Sequence, residues 1–146
     1  MSNAASANPA PGFAKHPGYE VVIEPLTATL TVRVGNHTIA ESTRAVSVLE
    51  TRHRPVWYIP LEDINASCIT ATDTDTYCPF KGHASYFSVT IPGQTPDTNL
   101  VDAIWVYQSP YDQCQALRGY ASFYTNKVDL FIDGEMANKE GPGWQD

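Results

Sequence analysis

The run Thr76-Tyr77-Cys78-Pro79-Phe80-Lys81-Gly82-His83-Ala84-Ser85-Tyr86-Phe87 gathers a thiol, an ammonium, an imidazole and two phenols around a Pro/Gly bend. A turn needs the Pro and the Gly but not the rest. Cys78 and Lys81 are therefore the candidate catalytic groups. A nucleophilic thiolate at Cys78 needs a cation beside it, and Lys81 or His83 is near enough in sequence to supply one. The order Cys78…His83 is no protease signature, so nucleophilic catalysis is not favoured. Lys81 can instead act as a point charge for a carboxylate or phosphate, with Arg44 or Arg54 adding a bidentate fork. The bland alternatives are a solvated turn lysine and an inert buried thiol.

Aromatic residues form a second set. Tyr58, Tyr86, Trp105 and Tyr107 can build a box that stacks planar rings or holds a cation on its π-faces. In a strand, Trp57 and Tyr58 point to opposite faces, and Tyr58 is the one assigned to the cleft. A third set is acidic. Glu50 and Asp63 lie near segment ends, and Asp73 and Asp75 form an Asp-x-Asp pair of a kind that can hold a divalent cation beside a phosphate. Polar loops also collect Asp and Thr for turn chemistry alone, and no P-loop or dinucleotide fingerprint accompanies the pair. The sequence points to no cofactor and no metal site.

The elements that must position these groups are mostly strands. Val21-Val22-Ile23 is β-branched, and Ala28, Leu30, Val32 and Val34 alternate with Thr and Arg. Gly35-Asn36 supplies a hairpin turn to Thr38-Ile39-Ala40. Strands follow at Val46–Glu50, Val56–Ile59, Tyr86–Ile91, Ala103–Tyr107, Tyr120–Tyr124 and Val128–Ile132, the last two read as a hairpin across Asn126-Lys127. One short helical turn is expected after Pro60. Asp73–Thr76 reads as a polar loop, and Pro92–Asn99 as another. Alternation gives the later strands two faces. Phe87, Val89, Ile104, Val106, Ala121 and Phe123 make an aliphatic core. Ala84, Tyr86, Ser88, Trp105, Tyr107, Tyr120, Ser122 and Tyr124 mix rings with hydroxyls and small residues, either beneath a second sheet or around a pocket.

Composition narrows the function classes. A chain of 146 residues with 42% apolar content suits one folded domain. A net charge of −7 with scattered basic residues argues against a nucleic-acid module. No apolar run reaches membrane-spanning length, and no secretory leader is expected. Three cysteines without close spacing, Cys68, Cys78 and Cys114, suit a reducing cytoplasm better than a disulfide framework. The expected organisation is a flexible arm over residues 1–18, a β domain over 19–134 and a tail over 135–146.

The ordered motifs Thr43-Arg44-Ala45-Val46, Val48-Leu49-Glu50, Pro55-Val56-Trp57-Tyr58-Ile59-Pro60, Glu62-Asp63-Ile64, Cys78-Pro79-Phe80-Lys81-Gly82, Ala84-Ser85-Tyr86 and Ala103-Ile104-Trp105-Val106-Tyr107 resemble the bacterial DUF427 family over roughly Glu20 to Asp133. The family is catalogued under a nucleotidyltransferase-like heading. Its fold is similar to the β-tent group, which implies a mainly β protein of two antiparallel sheets meeting at an angle, with a cleft between them. The zinc-holding Cys-x-x-Cys knuckles of that group have no counterpart here. The favoured reading is a small-molecule binding domain whose anionic or ring-bearing ligand meets Arg44, Glu50, Tyr58, Cys78, Lys81, Tyr86, Trp105 and Tyr107. An uncharacterised enzyme of the nucleotidyltransferase-like kind and a protein-interaction scaffold are the alternatives.

Overall fold

The computed structural model describes residues 8–93 and 99–137. The arm, the Pro92–Asn99 loop and the tail expected from the sequence thus lie partly outside the described residues. The strands are β1 (Val21–Pro25), β2 (Leu30–Val34), β3 (His37–Ser42), β4 (Val46–Glu50), β5 (Val56–Pro60), β6 (Ile69–Cys78), β7 (Gly82–Val89), β8 (Leu100–Val106), β9 (Tyr120–Phe123), β10 (Asp129–Ile132) and β11 (Glu135–Met136). They form two antiparallel sheets. One runs β1-β4-β5-β9-β8-β7-β6, and the other runs β11-β10-β2-β3. The mainly β fold with two antiparallel sheets agrees with the period-two alternation. Among the described residues, helical structure is confined to a short helix, α1 (Pro11–Lys15), and 3-10 turns at Leu61–Asp63, Ala66–Cys68 and Asp112–Leu117. No described helix is long and apolar enough to cross a membrane.

The aliphatic face of the large sheet packs on the small one. Val89, Ile104, Val106, Ala121 and Phe123 meet Leu30, Val32, Ile39, Ala40 and Leu130 in one buried cluster. The space between the sheets is therefore largely closed core, and the face that mixes rings with polar groups lies on the other side of the large sheet. A second cluster of Val48, Tyr58, Ala84, Tyr86, Tyr107, Cys114 and Leu117 occupies the opposite face of the seven-stranded sheet. The Asp112–Leu117 turn, through Cys114 and Leu117, packs on that face.

Three local expectations are corrected. Asp73–Thr76 is part of β6, an edge strand paired with β7 through a register shift between Ala71 and Asp75. Its threonines favour extended backbone, and the Thr72 and Thr74 hydroxyls both donate to the Asp102 carboxylate on β8. The strand hides from a hydropathy reading because most of it is exposed on both faces. β9 and β10 are not a hairpin. β9 pairs with β5 and β8, and β10 pairs with β2 and β11, so the chain changes sheets at Thr125–Val128. Within the segment read as a loose arm, α1 is docked: the Gly12 amide donates to the Pro79 carbonyl at 2.9 Å.

Arg44, assigned to the ligand site by the sequence, sits away from it. Its guanidinium bridges Glu62 at 2.8 Å and Asp63 at 2.9 Å, and Asp63 also accepts from the Ser42 hydroxyl at 2.6 Å. The Glu62 contact is open to water, with the two side chains 52% and 72% exposed, and adds little. Asp63 is different. Burial pushes its carboxyl up, but the bonds from Arg44 and Ser42 outweigh burial and hold it below the usual carboxylate range. A lowered folded-state pKa contributes stability that is present above the unfolded value, about 3.9, and is lost as pH falls through the folded one. The stability advantage of the native protein over Asp63→Asn is therefore expected to be constant from pH 7 to 5 and to shrink below pH 4. Urea unfolding at each pH reads it; an advantage that grows with acidity contradicts the assignment.

Candidate ligand-binding hollow

Alternation along four strands aims a set of side chains at one point. In β4, Glu50 follows Val46 and Val48 on the face of the aromatic cluster; in β5, Val56 and Tyr58 share that face. Tyr86 on β7 stands opposite Trp105 on β8, and Trp105 stands opposite Ser122 on β9. Trp57 packs instead on the core between the sheets, so Tyr58 is the member of that pair facing the hollow. The β6–β7 hairpin turns through Pro79-Phe80-Lys81, with Cys78 paired to Gly82. Gly82 has φ +114°, a conformation that L side chains rarely adopt, so the tight reversal that carries Lys81 inward calls for glycine.

The result is a cavity of about 450 Å3 whose walls include Tyr19, Glu50, Tyr58, Cys78, Phe80, Lys81, Tyr86, Trp105 and Tyr107. Seven of the eight residues assigned from sequence, Glu50, Tyr58, Cys78, Lys81, Tyr86, Trp105 and Tyr107, are brought together; Arg44 is the exception. His83 also lies elsewhere, exposed and bonded to Asp75 at 3.1 Å. Of the two cations considered for Cys78, His83 is therefore directed away, while Lys81 shares the hollow with it. Asp75 is engaged by that histidine, and among the described residues no three His, Cys, Asp or Glu side chains gather as a metal-holding group.

Two walls had no sequence signal, Tyr19 and His53, and Tyr124, placed by alternation on the ring-bearing face, joins them as a wall not assigned to the ligand. Tyr19 arrives from the N-terminal segment, stacks on Phe80 with ring centroids 4.1 Å apart, and donates its hydroxyl to Glu50 at 2.5 Å. An aromatic just before the first strand is a weak signal for a site wall, because the same residue serves equally well as a surface anchor.

The polar groups form a defined circuit. Lys81 is only 5% exposed and its ammonium donates to the other oxygen of Glu50. Glu50 thus holds a hydrogen bond on each oxygen, one charged and one neutral. The Lys81 ammonium has two further N–H groups with no protein acceptor among the described residues. The point charge expected at Lys81, and its alternative as a solvated turn lysine, give way to a buried, paired ammonium. Burial pushes the Tyr58 and Tyr107 phenols well above their ordinary value, and burial with the bond to Glu50 does the same for Tyr19. All three stay neutral hydroxyls near neutral pH. Burial, joined by the Tyr86 bond, raises Tyr124 to about 12. Tyr58 accepts from the Trp105 indole at 3.1 Å, and Tyr86 is bonded to Thr76 at 2.8 Å. Cys114, beneath the bend, is pushed up to about 11 by burial and is an inert thiol. Tyr107 is the exception in the circuit. It is 7% exposed, its hydroxyl has no hydrogen-bond partner among the described residues, and the groups it feels are Tyr58, Cys78, Tyr86 and Glu50, all walls of the same hollow.

A family model described as a domain of unknown function, DUF427, matches residues 22–134. The chain belongs to the DUF427 family. That span contains every wall of the hollow except Tyr19, so the hollow of this DUF427 domain is completed by a residue N-terminal to the matched region. No curated protein matches the chain.

Proposed function

We propose that this DUF427 domain binds a small molecule with a flat ring and a hydrogen-bond-accepting group, carboxylate or carbonyl, on that ring. The observation that carries the reading is Tyr107. A buried phenol without a partner costs about 1–3 kcal/mol, so its hydroxyl must find an acceptor in the hollow: solvent when the site is empty, a ligand atom when it is filled. Lys81, with two N–H groups to spare, supports the same pole. Tyr58, Tyr86 and Trp105 supply ring faces, and a cavity of about 450 Å3 is of ligand size. The concavity favours a small molecule over a protein partner on a flat aromatic patch. Because Glu50 already neutralises Lys81, an anionic head meets a paired dipole, and its affinity derives from hydrogen bonds more than from net charge.

Thermal-shift and calorimetric titration with aryl carboxylates, nucleotides and neutral aromatic amides tests the reading, since a ligand that binds only the folded state raises its melting temperature. Tyr107→Phe is expected to weaken the ligands that bind by about tenfold, equal to about 1.4 kcal/mol, while leaving the unliganded protein as stable as before or more so. Unchanged affinity in Tyr107→Phe would show that the hydroxyl does not serve a ligand.

A further inference from the structure

A second hollow of about 570 Å3 adjoins the first, and the two share Val56, Trp105 and Tyr124 as walls. The chain opens this space in a specific way. β5 and β9 are laddered only at Ile59–Ala121 and Pro60–Tyr120. Beyond that point the Ser122 hydroxyl, a side chain, bonds the Trp57 carbonyl at 2.7 Å. Where the ladder stops, Pro55, Trp57, Phe123 and Leu130 bring apolar surface to the second hollow, and Ser122, Thr125 and Asn126 bring uncharged polar groups to it. No charged side chain is among its walls, in contrast to the Glu50–Lys81 pair of the first. Tyr124, at the junction, is 38% exposed and rests on Trp105 with ring centroids 4.7 Å apart.

Resting on the small-molecule reading above, we infer that the two hollows are head and tail subsites of one cleft, and that the ligand class is a ring with a polar head carrying an elongated apolar arm. The head bonds Lys81 and Tyr107; the arm passes Tyr124 and lies against Trp57, Phe123 and Leu130. Two adjoining spaces of this size exceed what a single substituted ring fills. Their unequal chemistry, a charged hydrogen-bonding end and an uncharged, mostly apolar one, matches an amphipathic molecule better than a highly charged one such as a nucleotide.

The test is calorimetric titration with benzoate, 4-butylbenzoate and 4-hexylbenzoate. Each buried methylene contributes about 0.8 kcal/mol, so affinity should rise about tenfold for every two carbons. Thr125→Trp, which fills the second hollow from its rim, should remove that gain and leave benzoate affinity within about twofold. Val56→Phe, at the junction, should also remove it. Three results overturn the inference: benzoate binding with no gain from the chain, a gain that survives both variants, or no binding by any member. The first two leave the small-molecule reading standing; the third removes it for this head group as well.

Discussion

Replacing Lys81 by methionine is expected to lower the stability of the domain by about 3 kcal/mol, a fall of roughly 10 °C in Tm for a chain of this size. The argument runs from burial. The side chains of Lys81 and Glu50 are 6% and 14% exposed, so neither charge is well hydrated. The methionine fills much of the same volume but leaves Glu50 with Tyr19 alone as a partner. An uncompensated carboxylate in that position is far more costly than the loss of a surface pair, which would amount to about 1 kcal/mol or less. Adding Glu50→Gln to Lys81→Met removes the stranded charge and should recover more than half of the loss. Chemical unfolding of the two single variants and the double variant separates these terms. A loss below about 1 kcal/mol in Lys81→Met would mean that water screens the pair, and the picture of a closed polar circuit would fail with it.

The same pair marks how far the sequence could be read. The Cys78–Tyr86 run and the ring-bearing face were legible because side chains alternate strictly in strands: Phe87 and Ile104 fall to one side, Tyr86 and Trp105 to the other. Glu50 was legible as a segment-end carboxylate, but not as the partner of Lys81. Thirty-one residues and a sheet topology separate the two, and no local pattern encodes which strand follows which in space. Arg44 was misplaced for the same reason. It sits one strand from Glu50 in sequence, yet its guanidinium is taken by Glu62 and Asp63. A cleft between the sheets is what the resemblance to the β-tent group implies. Packing decides how much of it is filled: aliphatic faces close on one another over most of their contact, whereas the hydroxyl-bearing rings of the other face leave the hollow around Glu50 and Lys81. The β9–β10 segment shows the limit of turn chemistry. Asn126-Lys127 can reverse a chain, but nothing in those two residues says that β10 joins the other sheet.

Gly12→Ala is expected to lower stability by about 2 kcal/mol, in the range of an overpacked contact, and to loosen one wall of the hollow. A β-carbon at residue 12 would lie 2.7 Å from the nearest Phe80 ring carbon and 2.9 Å from the Pro79 carbonyl oxygen. The ring can tilt, but the carbonyl belongs to the bend that carries Lys81 and cannot retreat cheaply. α1 must then lift, which breaks the Gly12 amide bond to Pro79 and strains the bonds that tie Asn8 to Asp112 and Ala10 to Gln113. Phe80 is the hub of this segment, with Phe13 edge-on at 5.0 Å and Tyr19 stacked at 4.1 Å. Displacing α1 therefore reaches Tyr19 and its bond to Glu50. The expected signature is local: faster amide exchange over residues 10–19 and faster tryptic cleavage after Lys15, with exchange in β8 little changed. Tyr19→Phe is the contrasting variant. It keeps the stack, removes only the hydroxyl bond to Glu50, and should cost about 1 kcal/mol without speeding cleavage after Lys15. If Gly12→Ala leaves both stability and cleavage at Lys15 unchanged, close packing at Gly12 is not what holds the segment, and Tyr19 would have to be kept over the hollow by its own stack and hydrogen bond.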